Sequence, residues 1–117
     1  GGFAAGAFRH GRLVGFCALN RPFFGTSSRR VLLDQLFVSK ERRGRGIGKQ
    51  LFLMAARAAK EWGADMLYIC AGSSEETVAF YRAVGCGDAR EIDPVLASSD
   101  LRDLQLTFEL GALDTDV

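Results

Sequence analysis

The sequence predicts one domain of mixed α/β class, in which a largely antiparallel sheet contains a single parallel strand–helix–strand crossover. Its 117 residues are enough for one hydrophobic core. Helical periodicity is limited to 49–62 and 73–84, and two helices are too few for a doubly wound sheet. Strongly apolar strand-type segments at 31–38 and 66–71 flank the first helix, so these two strands should run parallel.

The first 30 residues predict a β-hairpin followed by a loop. Apolar segments at 3–8 and 13–19 are separated by a short polar stretch that contains a glycine. Gly6 and Gly15 interrupt the two strands and are typical of β-bulges. The stretch 20–30 is rich in Gly, Ser and Thr and contains a proline, which indicates a loop.

The strand at 31–38 is apolar except near its centre, where Asp34 lies. A strand of this kind is typically central in its sheet and buried on both faces. With a period of two, Asp34 shares one face with Leu36 and Val38. A buried carboxylate costs free energy unless it is solvated or hydrogen-bonded, so exposure in a cleft would explain Asp34.

The remaining elements follow in chain order. The helix at 49–62 is amphipathic and should end at Gly63. A buried strand then precedes the second helix, which should begin with a capping box between Ser73 and Glu76 and end at Gly85. Beyond it the sequence predicts a weak strand at 88–92, a polar connection at 94–103, a half-solvated strand at 104–110 and a frayed tail at 111–117.

Composition places the chain among ordinary globular proteins. Hydrophobic residues make up 48% and charged residues 25%, which excludes a wholly disordered chain. No apolar stretch is long enough to span a membrane, and no segment resembles a signal peptide. Three cysteines in apolar surroundings predict free thiols and a cytoplasmic location. The chain opens on Gly1-Gly2 without a methionine, which indicates a processed or truncated chain.

The near-neutral charge conceals a strong segregation. Residues 1–60 carry twelve Lys/Arg and two acids, a balance of +10, whereas residues 61–117 carry three basic residues and twelve acids, a balance of −9. The two halves could simply attract each other in the fold, or the basic half could bind an anionic ligand. Nucleic acid is disfavoured, because the cations gather at one helix start and no aromatic residues are interleaved with them.

The segment 39–48, Ser-Lys-Glu-Arg-Arg-Gly-Arg-Gly-Ile-Gly, joins the central strand to the first helix. The first amides of a helix are free and carry the positive end of its dipole, and glycines let a ligand approach them closely. Phosphate binding is the expected use. The glycine spacing matches neither a Walker loop nor a dinucleotide-binding fingerprint.

A third design matches. The pattern Arg43-x-x-Gly46-x-Gly48 resembles the pyrophosphate-binding signature of the GNAT superfamily of N-acetyltransferases. Leu36-Phe37-Val38 resembles the family's central strand, and Ser74-x-x-Thr77-x-x-Phe80-Tyr81-x-x-x-Gly85-Cys86 resembles a later family segment. The resemblance covers about residues 13–110 of a single domain spanning 1–117.

The sequence departs from that family in three places. Ser74 replaces an asparagine that helps to hold the pantetheine arm, and Cys86 replaces a phenylalanine. The initial strand and helices of the family, roughly 30–50 residues that form much of the acceptor wall, have no counterpart, so the fold should be short at its N-terminus.

The resemblance implies that acetyl-CoA is the cosubstrate. No cluster of cysteines and histidines in the sequence indicates a metal site. The resemblance also implies a one-donor oxyanion site at the Val38 N–H and a general acid at the Tyr81 hydroxyl, although Tyr81 is also a candidate for core packing. Asp34 is the candidate base, or it binds a cationic substrate. The residues expected to hold the cosubstrate are Leu36, Phe37, Val38, Arg43, Gly44, Arg45, Gly46, Ile47, Gly48, Ser74 and Tyr81.

The expected reaction is acetyl transfer to a primary amine of a small acceptor that the sequence does not identify. Two alternatives stay open: a non-catalytic module that binds acyl-CoA, and a fragment of a longer acetyltransferase. A homodimer is also compatible with a short chain that has an exposed sheet edge.

Overall fold

The computed structural model describes residues 2–111 and 113. Most of the predicted tail, residue 112 and residues 114–117, therefore lies outside the described part of the chain. The elements are β1 (Phe3–Arg9), β2 (Arg12–Phe24), β3 (Arg30–Val38), a 3-10 turn (Lys40–Arg42), α1 (Ile47–Glu61), β4 (Met66–Ala71), α2 (Glu75–Val84), β5 (Gly87–Asp88), α3 (Pro94–Ser99) and β6 (Leu104–Glu109).

The strands form one sheet in the order β1-β2-β3-β4-β6-β5. Every neighbouring pair is antiparallel except β3 and β4, which α1 connects as a parallel crossover. The predicted fold class, a mixed and largely antiparallel sheet with one parallel crossover, is therefore confirmed.

One face of the sheet is covered by α1, and the core lies between them. Phe52, Ala55 and Ala59 of this helix are fully buried against strand residues such as Val31 and Leu67. The small alanines let the helix approach the sheet closely, and burial of one large side chain such as Phe52 stabilises the fold by about 2–3 kcal/mol. Among the described residues, no helix is both long and apolar enough to cross a membrane.

The central strand β3 differs from the prediction in its second half. Its parallel pairing with β4 ends at the Leu32–Tyr68 pair. In its pairing with β2, Ala18 lies opposite Gln35 and Leu19 opposite Leu33, so Asp34 is an extra, bulged residue. Beyond Leu32, β3 has no partner on its β4 side among the described residues, and the strand that the sequence predicts to be buried on both faces lines an open gap there.

The bulge also reverses the expected orientation of Asp34. Leu33 and Leu36, three positions apart, both pack toward the core. The alternation of side chains between the two faces of the sheet is therefore interrupted at this point, and both Asp34 and Gln35 are exposed. The prediction that Asp34 shares a face with Leu36 and Val38 is wrong, because a period of two holds only in an unbroken ladder.

The N-terminal hairpin is longer than expected, and its β1–β2 pairing contains one irregularity. Strand β2 continues to Phe24, into the predicted loop, and Phe24 pairs with Arg30 of β3 after an irregular stretch. The irregularity between β1 and β2 falls between the Ala7–Gly15 and Phe8–Leu13 pairs, so the extra residue is Val14, next to Gly15, and the pairing is regular at Gly6. The aromatic contact of Phe24 with Tyr68, at 5.4 Å between ring centroids, favours this continuation.

Three boundaries in the helical parts also differ. The cap of α2 is Ser74 and not Ser73, since the Ser74 hydroxyl accepts a hydrogen bond from the Thr77 amide at 3.2 Å. The predicted strand at 88–92 is reduced to the two residues of β5. The predicted polar connection contains α3, which Asp93 caps by accepting bonds from two amides at 3.0 Å each.

Candidate active site

The loop between β3 and α1 presents free backbone amides. Gly46 is the N-cap of α1, with φ of 81°, and it offers no capping side chain. The first amide with a helical partner is that of Gln50, which donates to the Gly46 carbonyl at 3.0 Å. The preceding N–H groups of the first turn are therefore available to a ligand, with the positive end of the helix dipole behind them.

Glycine is favoured at two positions of this loop for different reasons. At Gly46 the positive φ disfavours other residues, although a Cβ there would meet no atom within 4 Å. At Gly48 the limit is space, because a Cβ would lie 3.1 Å from the Phe80 ring. The backbone of the loop thus stays open toward solvent while α1 approaches α2.

Four cations surround these amides: Arg42, Arg43, Arg45 and Lys49. All but Arg42 are exposed. Arg43 is anchored at both ends of its guanidinium. Its Nε donates to the Val38 carbonyl at 3.2 Å, and its Nη1 lies 3.7 Å from Oε1 of Glu76 on α2.

A groove of about 740 Å³ runs from this loop between β3 and α2. A second cleft, of about 330 Å³, occupies the gap between the diverging ends of β3 and β4. The two cavities share the side chains of Leu36, Thr77 and Tyr81. A ligand that enters at the loop amides would therefore reach the gap between the strands.

In the second half of β3, the N–H and carbonyl groups of every other residue point into that gap. The Ser39 N–H donates to the Val14 carbonyl of β2 at 2.7 Å, so the Val38 N–H points to the opposite side of the strand. Arg43 reaches the Val38 carbonyl on that same side. Because β4 does not pair here, the Val38 N–H and, two residues earlier, that of Leu36 are directed into the gap.

Tyr81 lies where the two cavities meet. It is 8% exposed and belongs to the hydrophobic core, with its ring 6.2 Å from that of Phe52 and 5.2 Å from that of Phe80. Its hydroxyl has no hydrogen-bond partner in the described part of the chain. Burial, with a smaller contribution from the Cys86 thiol, raises the pKa of Tyr81 to about 12. The residue is thus both a core side chain and the wall of a cavity.

Asp34 lies in the second cleft with Tyr81 and Cys70. Its carboxylate is exposed to solvent. Cys70 is a half-buried free thiol whose Sγ lies 3.6 Å from Oε1 of Gln105. Burial raises the pKa of the Cys70 thiol, the bond to Gln105 lowers it, and the carboxylates of Asp103 and Asp93 raise it further.

The structure brings most of the predicted site residues to these two cavities. Ser74 lines the groove, but its hydroxyl is occupied by Thr77, to whose Oγ1 it lies at 2.9 Å. Phe37 lines the second cleft and stacks on Phe16, with ring centroids 5.7 Å apart. Two predicted residues line neither cavity: Arg45, which is exposed, and Ile47, whose side chain packs against the core.

Sequence reasoning missed two contributors. Glu76 was interpreted only as a capping partner, yet it faces Arg43 across the groove. The sequence predicts Cys70 only as a free thiol in apolar surroundings, yet it lines the second cleft. No local signal separates these roles, because each depends on which element packs opposite.

Free amides, cations and an unpaired strand edge along one groove suit an extended, phosphorylated ligand. The family model of the acetyltransferase (GNAT) family matches residues 1–86. The chain therefore belongs to the GNAT acetyltransferase family, and the resemblance inferred from the sequence is confirmed. None of the curated protein sequences is detectably similar to it.

Solved structures show the same fold. An acetyltransferase of Bacillus subtilis in complex with CoA is 26% identical, with a TM-score of 0.68 over 92% of this chain and 76% of that one. The IAA acetyltransferase of Bacillus cereus is 22% identical, with a TM-score of 0.70 over 92% and 77%. The PaiA N-acetyltransferase of Thermoplasma acidophilum, also in complex with CoA, is 21% identical, with a TM-score of 0.69 over 92% and 60%.

Proposed function

We propose that this protein transfers the acetyl group of acetyl-CoA to a primary amine of a small-molecule acceptor. The observation that carries the proposal is the continuity of the groove from the free amides of α1 to Tyr81 and the gap between β3 and β4. CoA in the Bacillus subtilis and Thermoplasma acidophilum structures supports the same ligand class here.

The residues present fit acetyl-CoA at both ends of the groove. The loop amides that follow Gly46 and the guanidinium of Arg43 suit a pyrophosphate, because the amides are free at the positive end of the helix dipole and the half-exposed guanidinium lines the same groove. The unpaired edge of β3 at Leu36 and Val38 suits the amide groups of a pantetheine arm. The unpaired N–H groups of a strand need hydrogen-bond partners, and an extended chain of amides can provide them as a neighbouring strand would. Gly44, Phe37 and Ser74, which line the two cavities, complete the proposed binding set. Arg45 and Ile47, whose side chains line neither cavity, belong to it only through their backbone.

Acetyl-CoA supplies a thioester whose carbonyl accepts the attacking nitrogen. The Val38 N–H, directed into the gap, stabilises the negative charge that develops on the thioester oxygen. Asp34 accepts the proton of the acceptor ammonium, directly or through water, because it is the carboxylate that lines the cleft.

Tyr81 donates its proton toward the departing sulfur. Its raised pKa, about 12, keeps the hydroxyl protonated at any working pH. A thiol ordinarily has a pKa of about 8.5, so a free thiolate would not take the proton completely from this phenol. Tyr81 therefore acts chiefly by a hydrogen bond that strengthens as charge develops on the sulfur, and burial strengthens it further.

Calorimetric titration with acetyl-CoA tests the binding site. Arg43→Ala should weaken binding by about ten- to a hundredfold, since a hydrogen bond to a charged group contributes about 1.5–3 kcal/mol. Arg9→Ala removes the same charge from β1 and should leave the affinity unchanged. An equal loss in both variants would indicate diffuse electrostatic attraction and would contradict a specific site.

Release of CoA in the presence of a panel of amines tests the reaction. Binding of acetyl-CoA without release across the panel would favour the alternative, a module that binds acyl-CoA without turnover. A cytoplasmic location belongs to the same proposal, supported by three free thiols.

A further inference from the structure

A third cavity, of about 750 Å³, lies at the opposite end of β3 and β4 from the groove. It opens where β3 and β4 begin and β6 ends, and Arg30, Met66 and Glu109 from these three strand ends line it. In the described part of the chain it shares no lining residue with the groove or the second cleft. A ligand bound there would therefore not compete with acetyl-CoA for the same space.

The third cavity reaches a buried cation. Arg30 is 2% exposed, and its Cζ lies 4.8 Å from the centroid of the Phe24 ring and 4.5 Å from that of the Tyr68 ring. The loop that follows β2 leaves room for this side chain, since a Cβ at Gly25 would lie 2.8 Å from the Arg30 Nε. Two aromatic rings and a glycine thus hold the guanidinium in one place at the wall of the cavity.

The guanidinium of Arg30 uses only part of its hydrogen-bonding capacity among the described residues. Its Nη1 donates to the Glu91 carbonyl, and its Nη2 lies 4.0 Å from Oε1 of Glu91, which is too far for a hydrogen bond. The buried Nε has no partner. A buried charge is normally paired and hydrogen-bonded through most of its donors. The unused donors of a guanidinium that lines a cavity therefore indicate that a ligand brings an anionic oxygen to Arg30.

A carboxylate lies on the same face of the sheet as Arg30. Arg30 pairs with Met66, and Met66 pairs with Glu109, so the three side chains form one row across β3, β4 and β6. With about 4.8 Å between neighbouring strands, the Cα atoms of Arg30 and Glu109 are about 10 Å apart. Glu109 is exposed and forms no ion pair among the described residues, whereas Asp88, which also lines the cavity, pairs with Arg82 at 2.8 Å. The cavity thus offers a cation on one side and an unpaired carboxylate on the other.

We infer that the third cavity binds a small amino acid, with its carboxylate at Arg30 and its ammonium group at Glu109. The separation of these two residues suits a chain of about four carbons between the charges better than the single carbon of an α-amino acid. Met66, which lies between them, offers an apolar surface to that chain. A phosphate is disfavoured, because Asp88, Glu91 and Glu109 line the same cavity. The inference is independent of the proposed function, since no residue of the groove or the second cleft takes part.

Three five-carbon probes separate the two charges of such a ligand. They are 5-aminopentanoate, pentanoate and pentylamine, each titrated calorimetrically into the full chain with and without saturating CoA. We expect 5-aminopentanoate to bind about three- to fivefold more tightly than pentanoate, the usual gain from one exposed ion pair. Pentylamine should bind most weakly, because it lacks the group that Arg30 recognises. CoA should leave the affinity for 5-aminopentanoate unchanged.

Three variants assign the binding to its residues. Arg30→Lys keeps the charge but removes the planar guanidinium, so it should weaken both carboxylate probes about tenfold. Glu109→Gln, at an exposed position, should reduce the affinity for 5-aminopentanoate to that for pentanoate and should not weaken pentanoate itself. Glu75→Gln removes the same charge from the exposed start of α2, which lines none of the three cavities, and should change neither affinity. Melting temperatures verify folding, and Glu109→Gln decides alone if Arg30→Lys does not fold.

Several results would overturn the inference. One is the absence of saturable binding of 5-aminopentanoate, and another is a preference for this probe over pentanoate that Glu109→Gln retains. Because the second cleft also contains a carboxylate, the same titration is made with Asp34→Asn. A loss of 5-aminopentanoate binding in that variant, or on addition of CoA, would place the probe in the active-site cavities and would contradict a separate site. None of these results bears on the proposed acetyl transfer, which CoA release measures by itself.

Discussion

Tyr81→Phe is the substitution that most directly separates chemistry from packing. The substitution keeps the ring, and with it the edge contacts to Phe52 and Phe80. Only the hydroxyl is lost, and this hydroxyl has no hydrogen-bond partner among the described residues. The free energy of unfolding should therefore change by less than about 1 kcal/mol, the usual contribution of one intramolecular hydrogen bond.

Turnover should respond much more strongly than stability. Removing one preorganised hydrogen-bond donor to developing charge typically lowers the turnover number about 10²–10³-fold, so the turnover number of Tyr81→Phe should fall by that factor. The affinity for acetyl-CoA should barely change, because the hydroxyl acts as charge develops on the sulfur. The measurements are CoA release, calorimetric titration and urea unfolding on the same preparation.

The chain offers a matched control in its other buried tyrosine. The Tyr68 hydroxyl donates to the Gln105 side chain and accepts from the Asp93 N–H, and it lines neither the groove nor the second cleft. Tyr68→Phe should therefore cost about 1–3 kcal/mol of stability and leave the affinity for acetyl-CoA unchanged. A loss of stability in Tyr81→Phe with turnover intact would refute the assignment of Tyr81 as the proton donor.

Three further predictions concern the loop and the core. Gly46→Asp should weaken acetyl-CoA binding more than a hundredfold, since a like charge beside a phosphate costs several kcal/mol; an unchanged calorimetric affinity would contradict the site. Glu76→Gln should strengthen the same binding two- to fivefold, because it releases Arg43 from a surface ion pair worth at most about 1 kcal/mol. Burial raises the pKa of Cys86 and of Tyr81 to about 12 each, so the folded state favours their neutral forms more than the unfolded state does. The free energy of unfolding should therefore stay constant below about pH 9 and decrease between pH 9 and pH 12. Urea unfolding at increasing pH measures this decrease, which should be smaller in Cys86→Ala.

Local signals in the sequence were sufficient for the order of the strands and the two longer helices, and for the glycine-rich loop that suits an anionic ligand. Periodicity of two or 3.6 residues depends on neighbouring positions alone, and it located the strands on either side of α1 within a few residues. The glycines at 46 and 48, with Arg43 before them, carry their chemistry in the backbone and in one side chain. The family could therefore be recognised before any contact between distant segments was known.

The second cleft, between the ends of β3 and β4, could not be predicted from local signals in the same way. The apolar composition of 31–38 predicts a strand buried on both faces. The bulge at Asp34 cannot be recognised from composition, because it arises from the register of the pairing between β3 and β2. That register, with the loss of β4 as a partner after Leu32, opens the cleft and turns Asp34 outward.

Contacts between distant segments were likewise decided only in three dimensions. Arg43 meets Glu76 because α2 packs beside the loop, and Ser74 is occupied as a cap because the helix begins one residue later than its capping pattern suggested. Cys70 contacts Gln105 because β6 pairs with β4, although about thirty residues separate the two strands along the chain. The sequence by itself determined which ligand the loop suits, because free amides and cations are local properties. The tertiary structure decided where the proposed reaction could take place, because a cleft exists only where two strands separate.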